Sequence, residues 1–418
     1  MSERIQDIAR AARRASVKVA DLPGAVRNAV LLDLAERIGA CQPEILAANA
    51  QDLAAAEAAG VDGPKLKRLL LTPESLAQMR EGLRQVAALP DPVGQVTRSY
   101  TVPSGLHVEK VRTPLGVIAM IYEARPGVTV DAFALCFKAG NACLLKGGRE
   151  ADRSNRVLAG LIRVSLAAAG APEDAMAALT SSDREELRTM LTLSDDIDLV
   201  IPRGGEALIR FVHEHARIPT IQHFKGVCHV FVDRAADLDK ALAIVATGKT
   251  SSPATCNTTE CVLIHADVAP AFVPRLVERA ASDGVTIRAD ERFAALAGAA
   301  AHVEPATDGD WGTEYLDLIL AARVVEDFEA ALAHIHHHTS NHTEAIVTED
   351  RPTADAFCRR VRSSCVLVNA STRFNDGFQL GLGAEIGIST SRIHAYGPMG
   401  LEGLTIERFV VVGDGQTR

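Results

Sequence analysis

A cysteine set among small polar residues, Ser252-Pro253-Ala254-Thr255-Cys256-Asn257-Thr258-Thr259-Glu260, stands just ahead of an apolar run. A thiol on a polar loop carried by a rigid scaffold is placed as nucleophiles are placed. The plainer reading is a cysteine that only packs, the commoner fate of the residue. Cys261, inside the apolar run, takes that plainer reading, as do Cys136, Cys143, Cys228, Cys358 and Cys365. Two glycine turns, Lys146-Gly147-Gly148-Arg149 and Arg203-Gly204-Gly205, follow apolar runs. They would let a dinucleotide approach the backbone and set its phosphates at helix N-termini, although glycine turns also arise from geometry alone. Arg125 and Arg373 are cations beside strand ends, suited to gripping a carboxylate or phosphate, or to an ordinary ion pair. His334, His336, His337, His338 and His342 crowd one stretch. Adjacent histidines on a helix diverge around its axis, so no metal site is expected there, and the helix end is read as carrying His342 towards a pocket.

These residues need elements to hold them. Residues 1 to 85 read as helices, with Val26, Val30, Leu34 and Ile38 on one face. From Val111 short apolar strands alternate with helices. Val117–Ile121 and Ala142–Leu145 read as strands, 130–139 as a helix between them, and Arg153–Ala169 as a helix stopped by Gly170. Ile197–Ile201, Val230–Val232, Val262–Ile264 and Val366–Val368 continue the strand pattern. The expectation is an α/β fold with an open, doubly wound sheet and a ligand crevice at the carboxyl ends of its strands. The apolar, β-prone stretch Thr405–Gly413 suits pairing with another element or another subunit.

The composition narrows the function. The chain has 418 residues, 47% hydrophobic and only 4% aromatic, enough for two or three domains with aliphatic cores. A net charge of −9 argues against nucleic acid as a partner, while leaving room for a small anionic substrate in a locally basic pocket. No apolar run is long enough to span a bilayer. The eight scattered cysteines, without a CxxC pair, suit a reducing cytoplasm.

Read together, the motifs form a recognisable series. Pro114-Leu115-Gly116-Val117-Ile118, Tyr122-Glu123-Ala124-Arg125-Pro126 and Leu145-Lys146-Gly147-Gly148 resemble the gamma-glutamyl phosphate reductase family. So do Ile201-Pro202-Arg203-Gly204-Gly205, Thr255-Cys256-Asn257-Thr258-Thr259-Glu260, Ser340-Asn341-His342-Thr343-Glu344 and Val368-Asn369-Ala370-Ser371-Thr372-Arg373. The resemblance runs nearly end to end, with Tyr396 standing where that family would have an arginine. The family lies in the aldehyde dehydrogenase superfamily. The resemblance therefore implies a Rossmann-type, doubly wound cofactor domain (1–123 and 144–254) and an α/β catalytic domain (255–384). It further implies a return segment (385–403) and a small β oligomerisation element (124–143 and 404–418).

The implied reaction is reduction of L-glutamyl 5-phosphate by NADPH to glutamate 5-semialdehyde and phosphate, in proline biosynthesis, through a thioester on Cys256. The Cys256 backbone N–H, with Asn257 as a supplementary donor, would hold the oxyanion. Lys146 would reach the adenosine ribose and Glu314 the nicotinamide ribose. Arg149 stands where NAD-preferring relatives carry an acid, which favours the 2′-phosphate of NADPH. Phe224 stands where aldehyde-oxidising relatives carry a water-activating glutamate, so thioester hydrolysis should be slow. Arg125, Arg373 and Lys225 are candidates for the substrate's anionic ends and Glu123 for its ammonium, with His342 and Asn369 beside them. A homodimer or homotetramer is implied, and a glutamate kinase could hand over its labile product. The competing readings are a phosphate-independent aldehyde dehydrogenase and a non-catalytic scaffold that keeps the fold.

Overall fold

Apolar residues recurring at three- and four-residue steps make the first part of the chain helical, as a buried stripe on a helix requires. Ser2–Ala20 buries Ile5, Ala9 and Ala12, and Gly24–Ala40 buries Val30, Leu31, Leu34 and Ile38. Pro73–Ala88 opens on a reciprocal cap in which Thr72 and Ser75 satisfy each other's backbone N–H groups. The computed structural model describes residues 2–61, 63–179, 183–222 and 224–418. These divide into two compact units, 1–222 with 381–387 and 399–418, and 223–380 with 388–398.

The first unit holds a four-stranded parallel sheet in the order Met176–Ala178, Ala142–Lys146, Val117–Tyr122, Leu199–Arg203. Val117–Tyr122 is buried along its whole length, as an interior parallel strand covered on both faces must be. The helices Gly127–Lys138, Asp152–Ala168 and Glu206–His215 follow its strands. A separate antiparallel sheet joins Val96–Thr101, His107–Pro114 and Thr405–Val412. The expected small β element thus takes its other strands from 96–114. Of residues 124–143, assigned to it from the resemblance, Gly127–Lys138 instead form a helix that packs on Pro73–Ala88 and the strand Ala142–Lys146.

The second unit is built on a seven-stranded, wholly parallel sheet. Its order is Val303–Pro305, Thr286–Ala289, Ile319–Val325, Thr259–His265, Cys228–Val232, Thr343–Val347, Cys365–Val368. Cys228–Val232 pairs with Thr259–His265 and with Thr343–Val347, which fixes it in this unit. Residues 224–254, expected with the cofactor domain, therefore belong with the cysteine.

Apart from Asn369 and Arg373, which follow the strand Cys365–Val368, the candidate residues of the two sheets lie at opposite strand ends. In the first unit Glu123, Lys146 and Arg203 lie at or just beyond carboxyl ends, as the doubly wound pattern predicts. In the second unit Gly226, Cys256, Glu314 and His342 all precede the amino ends of their strands.

Candidate active site

Cys256 sits half-buried in the turn between the helix Leu238–Thr250 and the strand Thr259–His265. The turn is braced from within. The Thr255 hydroxyl donates to the Ser252 carbonyl at 2.9 Å and to Asn257 Oδ1 at 3.1 Å, and the Thr258 hydroxyl donates to the same Ser252 carbonyl at 2.6 Å. Asn257 is buried, and its amide nitrogen donates to the carbonyls of Arg373 (3.4 Å) and Asn375 (3.1 Å). Its donors are thus engaged in holding the loop, where the sequence suggested an oxyanion donor. Arg373 Nη1 donates to Thr255 Oγ1 at 2.6 Å, which ties that cation to the residue before the thiol. Arg373 Nε is buried without a hydrogen-bond partner among the described residues, so the guanidinium keeps donor capacity for an anion.

Beneath the loop, Gly226 lies so close to the Cys256 carbonyl that a Cβ there would meet the oxygen at 1.9 Å. Only glycine fits. Its N–H donates to Glu314 Oε1 at 2.8 Å, and Lys225 Nζ donates to the Gly312 carbonyl at 2.6 Å. The Cys228 thiol also donates to the Cys256 carbonyl, at 3.2 Å, and lies 3.7 Å from His342 Nδ1. Burial, reinforced by Glu344 and Cys256, pushes the Cys228 thiol well above its ordinary value, so it stays protonated and keeps this donor role. His342 is fully buried, against Thr343 Oγ1 at 2.7 Å. Phe224 is half-buried two residues before Gly226.

Not every expected residue joins this group. Asn369 is exposed, and its amide pairs both ways with the Thr348 backbone, at 2.9 and 3.0 Å, locking a turn in which it takes a φ of 52°. The Tyr396 hydroxyl donates to the Arg362 carbonyl, within the same unit.

In the first unit, Lys146 ends its strand with Nζ donating to the Gly147 carbonyl at 3.2 Å. Burial lowers its pKa, with Glu186, Glu150 and Asp152 pulling the other way. A Cβ on Gly147 would come within 2.2 Å of Asn155 Nδ2, so this turn admits close backbone approach only as glycine. Arg149 is exposed, while Glu150 accepts from the Ala124 N–H at 2.7 Å. A turn of this kind fits the close approach of a nicotinamide dinucleotide. The second glycine turn behaves differently. Glu123 accepts from the Gly205 N–H at 3.2 Å, so the helix N-terminus expected to take a phosphate already holds a carboxylate of the chain. Arg125 is exposed in the loop that follows Glu123.

Sequence reasoning missed two groups. One is the buried ion pair of Lys249 and Glu260, at 2.6 Å behind the cysteine loop. The other is His229, Cys261 and His334, whose ligand atoms lie within 4.8 Å of one another. His229 and Cys261 are register partners on neighbouring strands, and only the register reveals it. Arg323 Nη1 donates to His334 Nδ1 at 3.0 Å, which leaves that ring's proton on Nε2, facing Cys261 Sγ at 3.8 Å. A protonated Nε2 and an adjacent guanidinium both oppose a cation, so the cluster reads as a hydrogen-bonded core.

Residues 1–301 match the aldehyde dehydrogenase family. A gamma-glutamyl phosphate reductase of Xylella fastidiosa (strain 9a5c) is 52% identical over 414 residues, 99% of each chain. One from Geotalea daltonii is 51% identical over 418 residues, 100% of this chain and 99% of the relative. The crystal structure of gamma-glutamyl phosphate reductase from Thermotoga maritima superposes with a TM-score of 0.96 at 40% identity, covering 99% of both chains. The chain belongs to the aldehyde dehydrogenase family, among its gamma-glutamyl phosphate reductases.

Proposed function

We propose that this chain reduces L-glutamyl 5-phosphate to glutamate 5-semialdehyde in proline biosynthesis, with Cys256 as nucleophile. The observation that carries the reading is the Cys256 loop, braced by Thr255, Asn257 and Arg373 and seated on Gly226. A carboxylate carbon resists nucleophiles and hydride; joining it to phosphate as a mixed anhydride supplies a leaving group. The Cys256 thiolate adds to the acyl carbon, and the C–O bond to phosphate breaks with its electron pair leaving on phosphate. The backbone N–H of Cys256 steadies the transient oxyanion. Arg373, with its buried Nε still able to donate, is proposed to hold an anionic end of the substrate, and Arg125 and Lys225 are the other candidates. When bound, the nicotinamide cofactor supplies the hydride that converts the thioester to the aldehyde. Phe224 offers no base to activate water, so the acyl group waits for hydride or phosphate.

Arg149, exposed at its turn beside the glycines, favours NADPH over NADH. Self-association into a homodimer or homotetramer is supported by the edge strand Thr405–Val412, which leaves Phe409, Val411 and Val412 exposed at 61%, 51% and 60%. A labile acyl phosphate favours direct delivery from a glutamate kinase. A cytoplasmic setting is supported by eight free cysteines. Among the described residues no helix is long and apolar enough to cross a membrane.

The reverse assay tests this: glutamate semialdehyde, phosphate and NADP⁺ with the wild type and with Cys256→Ala. Activity that needs both phosphate and the thiol is expected. Turnover without phosphate would favour a phosphate-independent aldehyde dehydrogenase, and turnover without Cys256 would end the proposal.

A further inference from the structure

Lys249 and Glu260 bracket the cysteine loop. Lys249 lies in the last turn of the helix that enters the loop, and Glu260 is the second residue of the strand that leaves it. Lys249 Nζ and Glu260 Oε2 meet at 2.6 Å with side chains 1% and 0% exposed, so one contact closes the base of the loop. The other carboxylate oxygen, Glu260 Oε1, accepts from the Leu316 N–H at 3.3 Å. Leu316 holds a φ of 55°, a left-handed conformation that a branched side chain adopts only when its surroundings impose it. Two residues earlier, Glu314 accepts from the Gly226 N–H at 2.8 Å, and Gly226 is pressed against the Cys256 carbonyl. The contacts form a closed circuit, from the cysteine loop through Lys249, Glu260 and the 314–316 turn to Gly226 and back to Cys256.

Burying two charges costs several kcal/mol, and an apolar pair of similar volume would hold a core as well or better. An apolar pair could not direct the Leu316 N–H. A carboxylate with one oxygen fixed by lysine presents the other along a set line. Burial drives the Glu260 carboxyl up so strongly that, even with Lys249 pulling it down, it reaches about 7, so the ionised form depends on that partner.

We infer that Glu260, held by Lys249, is a positioning residue that fixes the Glu314 turn relative to Cys256 and so sets the geometry of hydride transfer. The inference rests on the proposed reductase function and on the role at the nicotinamide ribose that the family resemblance implies for Glu314.

Two variants test it in the reverse reaction: Glu260→Gln, and the doubly uncharged Lys249→Met with Glu260→Leu, which leaves no buried ion unpaired. Three quantities are read beside melting temperature. They are the KM for NADP⁺, the primary isotope effect with formyl-deuterated semialdehyde, and the rate of Cys256 alkylation by iodoacetamide. In the double variant, melting temperature and alkylation should stay near wild type, while the KM for NADP⁺ rises about tenfold, the scale of one charge-assisted hydrogen bond. The isotope effect should grow as hydride transfer becomes limiting, and Glu260→Gln should move both kinetic readouts in the same direction. Glu314→Gln serves as the reference. If it leaves the KM for NADP⁺ unchanged, the assignment of Glu314 is what fails. If it raises that KM while both Glu260 variants leave KM and isotope effect at wild-type values, the inference is overturned. Loss of fold in both variants would make the pair a stability element and overturn it equally.

Discussion

Gly226→Ala asks how tightly the thiol's backbone is seated. The added methyl would need to move the Cys256 carbonyl, a backbone atom that no rotamer change can relieve. Displacing a nucleophile by about 1 Å costs about 100-fold in rate, so kcat should fall at least that far, measured in the reverse assay. Retained activity would mean that the loop yields freely. Arg149→Glu probes the cofactor end: an acid beside the ribose hydroxyls should cut the NADPH-to-NADH preference at least tenfold in kcat/KM, and unchanged selectivity would remove the assignment. At this scale the sequence located what neighbouring residue types specify, a polar loop ahead of a strand at Cys256 and a glycine turn after one at Lys146. It misdirected where a side chain's partner lies far along the chain. Asn257 looked like an oxyanion donor, yet its amide is engaged by carbonyls about 116 residues away. Glu123 looked like an ammonium ligand, yet it caps the Gly205 turn. Glu260 passed as one letter of a motif because its lysine and the Leu316 N–H meet it only in the folded sheet.

Elements were legible wherever one periodicity dominated. The apolar runs at 117–121 and 142–145 became buried parallel strands, and the 153–169 stretch became the helix Asp152–Ala168. Which sheet a strand joins was not legible, because a buried parallel strand reads the same in either. Val230–Val232 therefore seemed to continue the cofactor sheet while its hydrogen bonds go to the cysteine's sheet. In the second unit the loop that carries the cysteine precedes its strand, as the place of Cys256 ahead of an apolar run already indicated. The helix Asp152–Ala168 offers a test of element stability independent of the site. Gly160 lies in its interior with open space where a Cβ would stand. Gly160→Ala should therefore stabilise the protein by about 0.5–1 kcal/mol, through helix propensity and a less flexible unfolded chain. A denaturation midpoint that stays put or falls would show that this surface is not free.

Stability of the whole molecule should carry the mark of one buried pair. Glu344 Oε2 accepts from both the His229 N–H (3.0 Å) and His229 Nδ1 (2.9 Å), and neither side chain is exposed. Its other oxygen takes the Ser363 hydroxyl at 3.1 Å and the Thr339 hydroxyl. Burial by itself lowers the His229 pKa. The carboxylate, aided by Cys261, outweighs that and raises it from 6.5 to about 10. Between those values the folded chain keeps a proton that the unfolded chain has released, so stability must fall as pH rises. The contribution is fully present below pH 6.5 and is lost as pH climbs through about 10, with a slope of at most about 1.4 kcal/mol per pH unit. Other groups titrate in this range too, so the quantity to measure is the difference between wild type and Glu344→Gln in urea denaturation at several pH values. Removing the carboxylate's charge should cost about 3–5 kcal/mol near neutrality, the price of breaking a buried pair. The gap should then narrow towards pH 10, as the wild type loses what the variant never had. Parallel curves across that window would mean that His229 is already neutral in the folded protein and that Glu344 holds it by a hydrogen bond alone.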